Sequence, residues 1–433
     1  MIQAVIVGAG ARGNRVFAQL MATYQTGFVV SGVVEPDTQR REAFCAAFGI
    51  PAEHAFADEQ AFIAAPRIGD IAFICTPDIV HYRMCRAISE RGYDVLLEKP
   101  IATNLADTLA LIEVERACQN RIFVAHVLRY APFFLAVRHL IRSGEYGRVL
   151  HIDLAENIGH WHFAHSYVRG SWRRADESAP IVLTKCSHDL DLLPWLVGSP
   201  ATSVSSTGSL INFTREHAPP GATDRCVDCP HQHTCLYSAP RFYVNEKPNW
   251  PFHVIAPAPD TPEIRLKSLE TGPYGRCVYR NDNDVCDHQI VVLEFASGVL
   301  GTVSLHAHTA DNTRKLTVMM EKAEVTGDVR QHRLQISHFT GTTESLRIED
   351  VPLGPAISDP HGGGDLQLLY ALHEHLTSGT HNELISSLES SVPSHVIAFL
   401  AEESRTGGGM RLPVPSIARV LPPAPEAGSP NQF

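Results

Sequence analysis

The chain has no apolar run approaching the roughly 20 residues that a membrane helix needs, so no membrane partner is expected. It also has no run of Lys and Arg. With a net charge of −11, this argues against a general nucleic-acid binder and against an anionic membrane surface as partner. The apolar N-terminus lacks a basic stretch and is interrupted by Gly8 and Gly10, so it does not read as a secretory leader. A cytoplasmic protein is expected, with its ten cysteines mostly reduced. A cysteine cluster is then read as metal-binding or redox-active before disulfide-bonded. The rest is ordinary for a soluble globular chain: 44% hydrophobic and 19% charged residues. At 433 residues, two or three domains are expected on a prior of roughly 150 residues each.

The N-terminus carries the first specific signal. Val5, Ile6 and Val7 lead straight into Gly8, Gly10 and Gly13, a strand, a glycine turn and a helix start. Gly8 permits the tight turn, and Gly10 lets the backbone approach a pyrophosphate. Gly13 lets the helix pack on the strand, with the first amides, from Ala11 and Arg12 onward, facing the phosphates. A glycine-rich turn without a ligand has the same pattern. Position favours a dinucleotide, because the motif follows an N-terminal strand, and so does Glu35, which closes a second strand (28–34), 22 residues after Gly13. A carboxylate there accepts both ribose hydroxyls and repels a 2′-phosphate, which favours NAD over NADP. Arg40 and Arg41 follow and soften that preference.

Helical and strand patterns alternate onward: a helix to about Phe48, a strand over 70–75 ending at Thr76-Pro77, an amphipathic helix through Val80, Met84, Ala87 and Ile88, a short strand at Val95–Leu97, a helix from Thr103 or Asn104, and a strand over 121–125. This predicts a parallel, doubly wound α/β sheet of the Rossmann type over residues 1–128. Ligand should sit at the carboxyl ends of its strands, where Thr76, Pro77, Glu98, Lys99 and His126 fall. From Val149 the pattern changes to period-two alternation. Later strands are expected at 288–296, 299–308, 314–320, 323–329 and 333–338. Strands in succession mean antiparallel pairing, so residues 129–420 read as an α+β domain. Residues 213–287 read as an insertion, and 421–433 as a disordered, Pro-rich tail.

Lys99 admits two readings. An ammonium beside a carbinol stabilises a developing alkoxide, or a desolvated amine takes its proton. A lysine paired with Glu98 at a strand end would look the same. Here the sequence resembles a known family. Thr76-Pro77-Asp78 with His81 four residues past Pro77, then Glu98-Lys99-Pro100, then Arg129-Tyr130, is similar to the glucose–fructose oxidoreductase / inositol dehydrogenase (Gfo/Idh/MocA) family over most of the chain. The resemblance implies a coenzyme site containing Gly8, Gly10, Ala11, Arg12, Gly13, Glu35, Thr76, Pro77, His81, Glu98 and Lys99. It implies that Lys99 touches both nicotinamide ribose and substrate hydroxyl, and that the Lys99–Pro100 bond is often cis. It further implies a C-terminal domain whose open, mainly antiparallel sheet faces the active site and often forms the interface of a homodimer or homotetramer. Its substrates are sugars, polyols or glycosides.

Residues 183–191 (Leu-Thr-Lys-Cys-Ser-His-Asp-Leu-Asp) resemble the family's second motif, an Asp and a His four apart with an Asp three after the His. His188 and Asp191 fit. Position 184 is Thr, with Lys185 beside it. His188 reads as a general base, being close to neutrality when unperturbed, or as a capping or core histidine. The missing Asp puts the usual proton relay in doubt. Lys185 replaces it or holds an anionic group. The run 158–175 holds three His, three Arg, two Trp and one Tyr without an acid. It reads as a substrate loop in which Trp161, His165, Tyr167, Arg169, Trp172 and Arg173 meet the sugar with Arg129, Tyr130 and Asp191; the plainer reading is a surface loop whose arginines pair with acids elsewhere. Cys226, Cys229 and Cys235, with Cys277 later, suit a closed structural zinc site. His231 or His233 is able to replace one thiolate, and the alternatives are unliganded cysteines or a disulfide. After the last strand His361-Gly-Gly-Gly364-Asp365 opens a helix, with Asp365 as N-cap or, as in the family, near the substrate.

The expected activity is therefore NAD-dependent hydride transfer from a ring hydroxyl, C3 favoured, with Lys99 and His188 handling the proton. The alternative is an NAD-dependent glycosidase of the sulfoquinovosidase kind. Such an enzyme oxidises C3 transiently, eliminates the aglycone, hydrates and re-reduces.

Overall fold

Six short strands, buried on both faces, form the first layer. β1 (Ile2–Val7), β2 (Phe28–Val34), β3 (Ala55–Phe56), β4 (Ile71–Ile74), β5 (Asp94–Leu97) and β6 (Ile122–Val124) pair in parallel in the order β3-β2-β1-β4-β5-β6. The strand order reverses between β1 and β4, so the glycine turn after β1 and Thr76 after β4 flank the switch point, where such sheets bind ligands. The computed structural model describes residues 1–245, 247, 250–256, 260–350, 361–379 and 382–416; the tail expected over 421–433 lies outside them.

Two C-terminal helices return to close this layer. Helix Gly364–Ser378 sets Leu368, Leu369 and Leu372 against Phe17, Phe28 and Phe73. Helix Leu388–Thr406 gives Leu388, Val392 and Val396 to the other face of the parallel sheet. Its next turns give Ile397, Ala398 and Ala401 to the core of the second sheet. A single helix thus belongs to both cores.

The second sheet contains β7 (Val149–Gly159), β8 (Ala201–Ser209), β9 (His288–Phe295), β10 (Leu300–Thr309), β11 (Thr313–Met320), β12 (Ala323–Asp328), β13 (Arg333–His338), β14 (Thr343–Arg347) and β15 (Leu412–Pro413). Their order is β14-β13-β12-β11-β7-β10-β9-β8-β15. The hairpins are antiparallel, as is the pair of β7 with β11, but β7 and β10 run in parallel. β8 and β14 escaped the sequence reading. β8 is mostly Ser, Thr and Gly, and β14 has little apolar alternation. Ile152, Leu154, Val303, Leu305, Leu316 and Val318 point inward onto helix Ser187–Val197. The other face is open, with Leu150, Ile290, Val292, Leu300 and Met319 exposed. Among the described residues no helix is long and apolar enough to cross a membrane.

Candidate active site

The glycine turn has the geometry that its spacing predicts. Gly8 sits at φ +94°, where a Cβ would stand 2.7 Å from the Cys75 carbonyl oxygen. A Cβ on Gly13 would collide with the Gly8 carbonyl, whereas one on Gly10 meets nothing within 4 Å. The turn is closed where chain packs on chain and open where a pyrophosphate would approach. The helix after it is wound as a π-turn over Ala11–Ala18 before becoming α-helical at Gln19–Thr23. Glu35 is buried at the end of β2. Its Oε2 accepts from Ala9 N (2.9 Å) and its Oε1 from Asp37 N (3.0 Å), with Arg40 Nη1 3.4 Å from both oxygens. The carboxylate is thus fixed at the mouth of the turn, fit for a ribose diol, with one cation beside it.

Two residues of the expected coenzyme site have side chains bonded within the protein. The Arg12 guanidinium stacks over Phe17 and pairs with Glu98 (2.5 Å) and Asp365 (2.6 Å), so its charge is engaged by carboxylates before any phosphate. His81 is fully buried, with Nδ1 2.7 Å from Pro100 O and Nε2 2.9 Å from Thr76 O. It ties the turn after β4 to the cis Lys99–Pro100 bond rather than facing a ligand.

Lys99 and His188 come together from the two halves of the chain. Lys99 Nζ donates to Thr184 O at 2.6 Å. Burial pushes its pKa down; Asp78 and Glu98 oppose this, and Lys185 and Arg12 reinforce it. His188, in the first turn of helix Ser187–Val197, is held well below the ordinary imidazole range by burial, then by Lys99, His126 and His361. It is therefore a neutral imidazole, the base form. Its ring lies 5.9 Å from that of His126 and 5.8 Å from that of His361, centroid to centroid. Around this pair, Thr76 Oγ1, both ring nitrogens of His126, Thr184 Oγ1, Ser187 Oγ and His188 Nδ1 are buried without a hydrogen-bond partner among the described residues. Each such orphan costs about 1–3 kcal/mol, and a concentration of them marks a place where a ligand completes the bonding.

The other expected substrate contacts are satisfied internally. Arg129 and Asp191 form a buried bidentate pair, both bonds 2.6 Å, so neither is offered to a sugar. The Tyr130 hydroxyl is buried against Ser386, whose amide donates to it at 3.1 Å. Lys185 Nζ lies 3.1 Å from Glu156 Oε1; Glu156 also takes Arg314 (2.6 Å), and Arg314 reaches Asp189 (2.7 Å). Lys185 is a neutralised neighbour of Lys99, not a free cation for an anionic group.

The run 158–175 is not an open loop: β7 passes straight into helix His160–Phe163 and a π-turn over Ala164–Arg169. Tyr167 joins the core, and His165 stacks on Tyr274 with Nδ1 2.8 Å from the Tyr243 hydroxyl. Arg169 donates to the carbonyls of Arg276 (2.8 Å) and Tyr237 (2.7 Å), anchoring the insertion. Arg173 pairs with Asp282 and Glu177, both at 2.8 Å. Pairing with acids, as in the plainer reading, holds for Arg173 and Arg174 but not for Arg169, which is buried on carbonyls. The run lacks acids in sequence, but Asp282 and Glu177 reach it in space. Trp161 and Trp172 remain partly exposed; Trp172 Nε1 donates to Asp78 Oδ2 at 2.8 Å, joining this segment to the Thr-Pro-Asp turn.

Cys226, Cys229, Cys235 and Cys277 line one void of about 20 Å³ together with His231, and none forms a disulfide. Yet among the described residues no three His, Cys, Asp or Glu side chains stand in metal-holding geometry. The expected zinc site is gathered but not assembled, and Cys226 Sγ accepts from Arg169 Nη2 at 3.5 Å instead. Asp365 is likewise not the N-cap, which is Gly363. It lies in the first helical turn, fully buried, bound by Arg12 and by His361 (2.8 Å). Sequence reasoning passed over Glu156, Asp189 and Arg314, whose roles come from cross-strand register (Arg314 stands opposite Glu156). It also gave His361 no role of its own, although the His-Gly-Gly-Gly-Asp run was visible.

Comparison with known proteins gives the same architecture. The profile of the GFO_IDH_MocA oxidoreductase family's NAD-binding Rossmann fold matches residues 2–126, and that of its C-terminal alpha/beta domain matches 138–409. The chain is similar to the oxidoreductase YteT of Bacillus subtilis, 24% identical over 342 residues, covering 74% of this chain and 75% of that one. It is 29% identical over 201 residues to inositol 2-dehydrogenase of Corynebacterium glutamicum, covering 46% of this chain and 55% of that enzyme, about half its length. A levoglucosan dehydrogenase in complex with NADH and L-sorbose superimposes with a TM-score of 0.71 at 16% identity, covering 96% of this chain and 100% of that one, a likeness of fold. With both domains matched over 2–126 and 138–409, the chain belongs to the Gfo/Idh/MocA family of oxidoreductases.

Proposed function

We propose that this enzyme oxidises a ring hydroxyl of a sugar or glycoside, C3 favoured, with NAD. The observation that carries the reading is the buried meeting of Lys99 and neutral His188 inside a ring of unsatisfied polar groups. NAD, when bound, supplies the hydride acceptor, and Gly8, Gly10, Gly13 and Glu35 are the residues to hold it. Lys99 stabilises the alkoxide that forms as the carbinol loses hydride, and His188 or the lysine amine takes the proton. The relatives support the substrate class: one acts on inositol, and the levoglucosan dehydrogenase holds L-sorbose.

The second reading is the redox-neutral glycosidase. Two observations favour it: Thr184 and Lys185 where the family's relay has an acid, and a second histidine, His361, beside His188. An anionic sugar such as a sulfoquinovoside finds less support, since Lys185, Arg173 and Arg314 are already paired. Incubation with a panel of 4-nitrophenyl glycosides and trace NAD separates the two. Release of 4-nitrophenol without net NADH supports the glycosidase, stoichiometric NADH supports the dehydrogenase, and neither product from any sugar sinks both.

Three further parts of the reading are proposals of the same kind. The exposed apolar residues of the open sheet fit a homodimer or homotetramer interface. Ten unpaired cysteines fit a cytoplasmic enzyme. A structural zinc ion fits the void shared by four cysteines, provided the thiols turn inward; under half an equivalent of zinc in the purified protein would remove it.

A further inference from the structure

Lys99 Nζ donates to the Thr184 carbonyl at 2.6 Å. From there a chain of charges runs through the core to His188. Lys185, next to Thr184, sets its Nζ 3.1 Å from Glu156 Oε1 on β7. Glu156 Oε2 lies 2.6 Å from Arg314 Nη2 on β11, the residue opposite it in the sheet. Arg314 Nε donates to Asp189 Oδ1 at 2.7 Å, and Asp189 follows His188 in helix Ser187–Val197. The segment 184–189 is thus tied at both ends, by Lys185 and by Asp189, to two adjacent strands.

The four charges balance, two carboxylates against two cations. Burial works against the charge of Glu156, yet Arg314 and Lys185 hold its pKa below the ordinary carboxylate range. Desolvation offsets much of what a buried ion cluster gains in stability, so this one points to a role in position and charge. We propose that Glu156, Lys185, Asp189 and Arg314 are positioning residues for the proton transfer: their chain of ion pairs fixes Lys99 against His188 and sets the charge around both. This rests on the oxidation of a ring hydroxyl proposed above, with which the glycosidase reading also begins.

The field acts on a crowded pair. Burial lowers the pKa of Lys99, Asp78 and Glu98 oppose this, and Lys185 and Arg12 reinforce it. Lys99 also faces His126, His162 and His395, each held below the ordinary imidazole range by burial. His188 is lowered by burial, then by Lys99, His126, His361 and Arg314. Whichever of the two accepts the carbinol proton, a cation nearby disfavours that proton and a carboxylate nearby favours it. Removing one cation of the chain must therefore raise the pKa of the acceptor, and removing one carboxylate must lower it.

The pH profile of kcat/KM tests this, because its rising limb reports the proton acceptor in the free enzyme. The substrate is the sugar or 4-nitrophenyl glycoside that wild type turns over best, followed by NADH or 4-nitrophenol. Lys185→Gln should move the limb up by about one pH unit, and Glu156→Gln should move it down by about as much. The double variant E156Q/K185Q restores the balance and should return the limb to its wild-type position. Lys185→Arg keeps the charge and should leave the limb in place. Arg314→Lys keeps the charge but loses the fork that joins two carboxylates, so the limb should stay while kcat falls roughly tenfold or more. Activity lost in K185Q with the limb unmoved, or shifts of one sign in K185Q and E156Q, would overturn the electrostatic role. R314K with wild-type kcat would overturn the positioning role. Either result leaves the oxidation reading standing, whereas wild type that yields neither NADH nor 4-nitrophenol overturns both. Lys185 is the most exposed of the four, its side chain 16% accessible. Should E156Q not fold, K185Q against K185R decides alone.

Discussion

Two polar clusters flank helix Ser187–Val197, and they differ in how completely they are bonded. In one, Arg129 closes on Asp191 with two bonds of 2.6 Å, and Arg314 joins Asp189 to Glu156 and Lys185. In the other, His188, His126, Thr76, Thr184 and Ser187 hold buried atoms with no hydrogen-bond partner among the described residues, His126 Nε2 lying 3.7 Å from Asp191 Oδ1. Both clusters draw on the same short run, Ser187 to Asp191, and helical spacing sends its members to different neighbours. A buried charge with all its bonds made holds the fold together. A buried polar group without a partner costs stability and points to a ligand. Residue type alone would have placed Arg129 and Asp191 at the substrate; bonding state assigns them to the scaffold.

That contrast breaks most plainly at Lys99. Lys99→Ala should lower turnover by about 10³-fold while leaving the melting temperature nearly unchanged. A large loss of stability with little loss of turnover would move Lys99 to the scaffold side. The opposite substitution is Asp191→Asn, which strands Arg129 in the core and should cost about 3–5 kcal/mol by denaturant titration. Substrate KM should be little changed in whatever folds, and a selective rise in KM would return Asp191 to the site.

The buried histidines give an effect graded with pH. Burial pushes His165 and His395 down to about 3, and His126 and His188 well below their ordinary range. In the unfolded chain they titrate near ~6.5, so between the two values the unfolded state binds more protons. The stability they contribute is present above pH ~6.5 and is lost as pH falls toward 3, by roughly 1.4 kcal/mol per pH unit for each histidine inside the window. Denaturant midpoints at several pH values check this, and a flat profile down to pH 5 would contradict it. Smallest of all is Arg173→Ala, whose partners are half exposed. It should cost under about 1 kcal/mol and leave sugar kinetics unchanged. A tenfold rise in KM would restore the segment 158–175 as a substrate loop.

Much of the fold was legible in sequence because it depends on local periodicity. The glycine turn, the alternation to β6 and five later strands follow from residue spacing within a dozen positions, and Glu35 from its place at the end of the second strand, 22 residues after Gly13. β8 was not legible because serine, threonine and glycine carry no apolar alternation, and the parallel β7–β10 pair was not because pairing between distant strands leaves no local trace. At the candidate site, motif and chemistry singled out Lys99 and His188, which the fold brings near each other. The partners of Arg129, Lys185, Arg169 and Arg173 were not legible for one reason: the sequence shows that a residue is cationic, not which carboxylate or carbonyl it meets.

The sequence by itself determined a nucleotide-binding parallel sheet, a lysine at the end of one of its strands, a histidine on a later helix and a family. These rest on short-range spacing and on side-chain chemistry that context does not change. Tertiary structure decided which of the charged residues are free to act. Asp365 meets Arg12 across most of the chain, and Arg314 meets Glu156 across a sheet, contacts set by register and helix packing. The same packing left His188 Nδ1, the His126 ring nitrogens and Thr184 Oγ1 without a hydrogen-bond partner among the described residues around Lys99, and that shortage of bonds is what singles out this pocket as the candidate site.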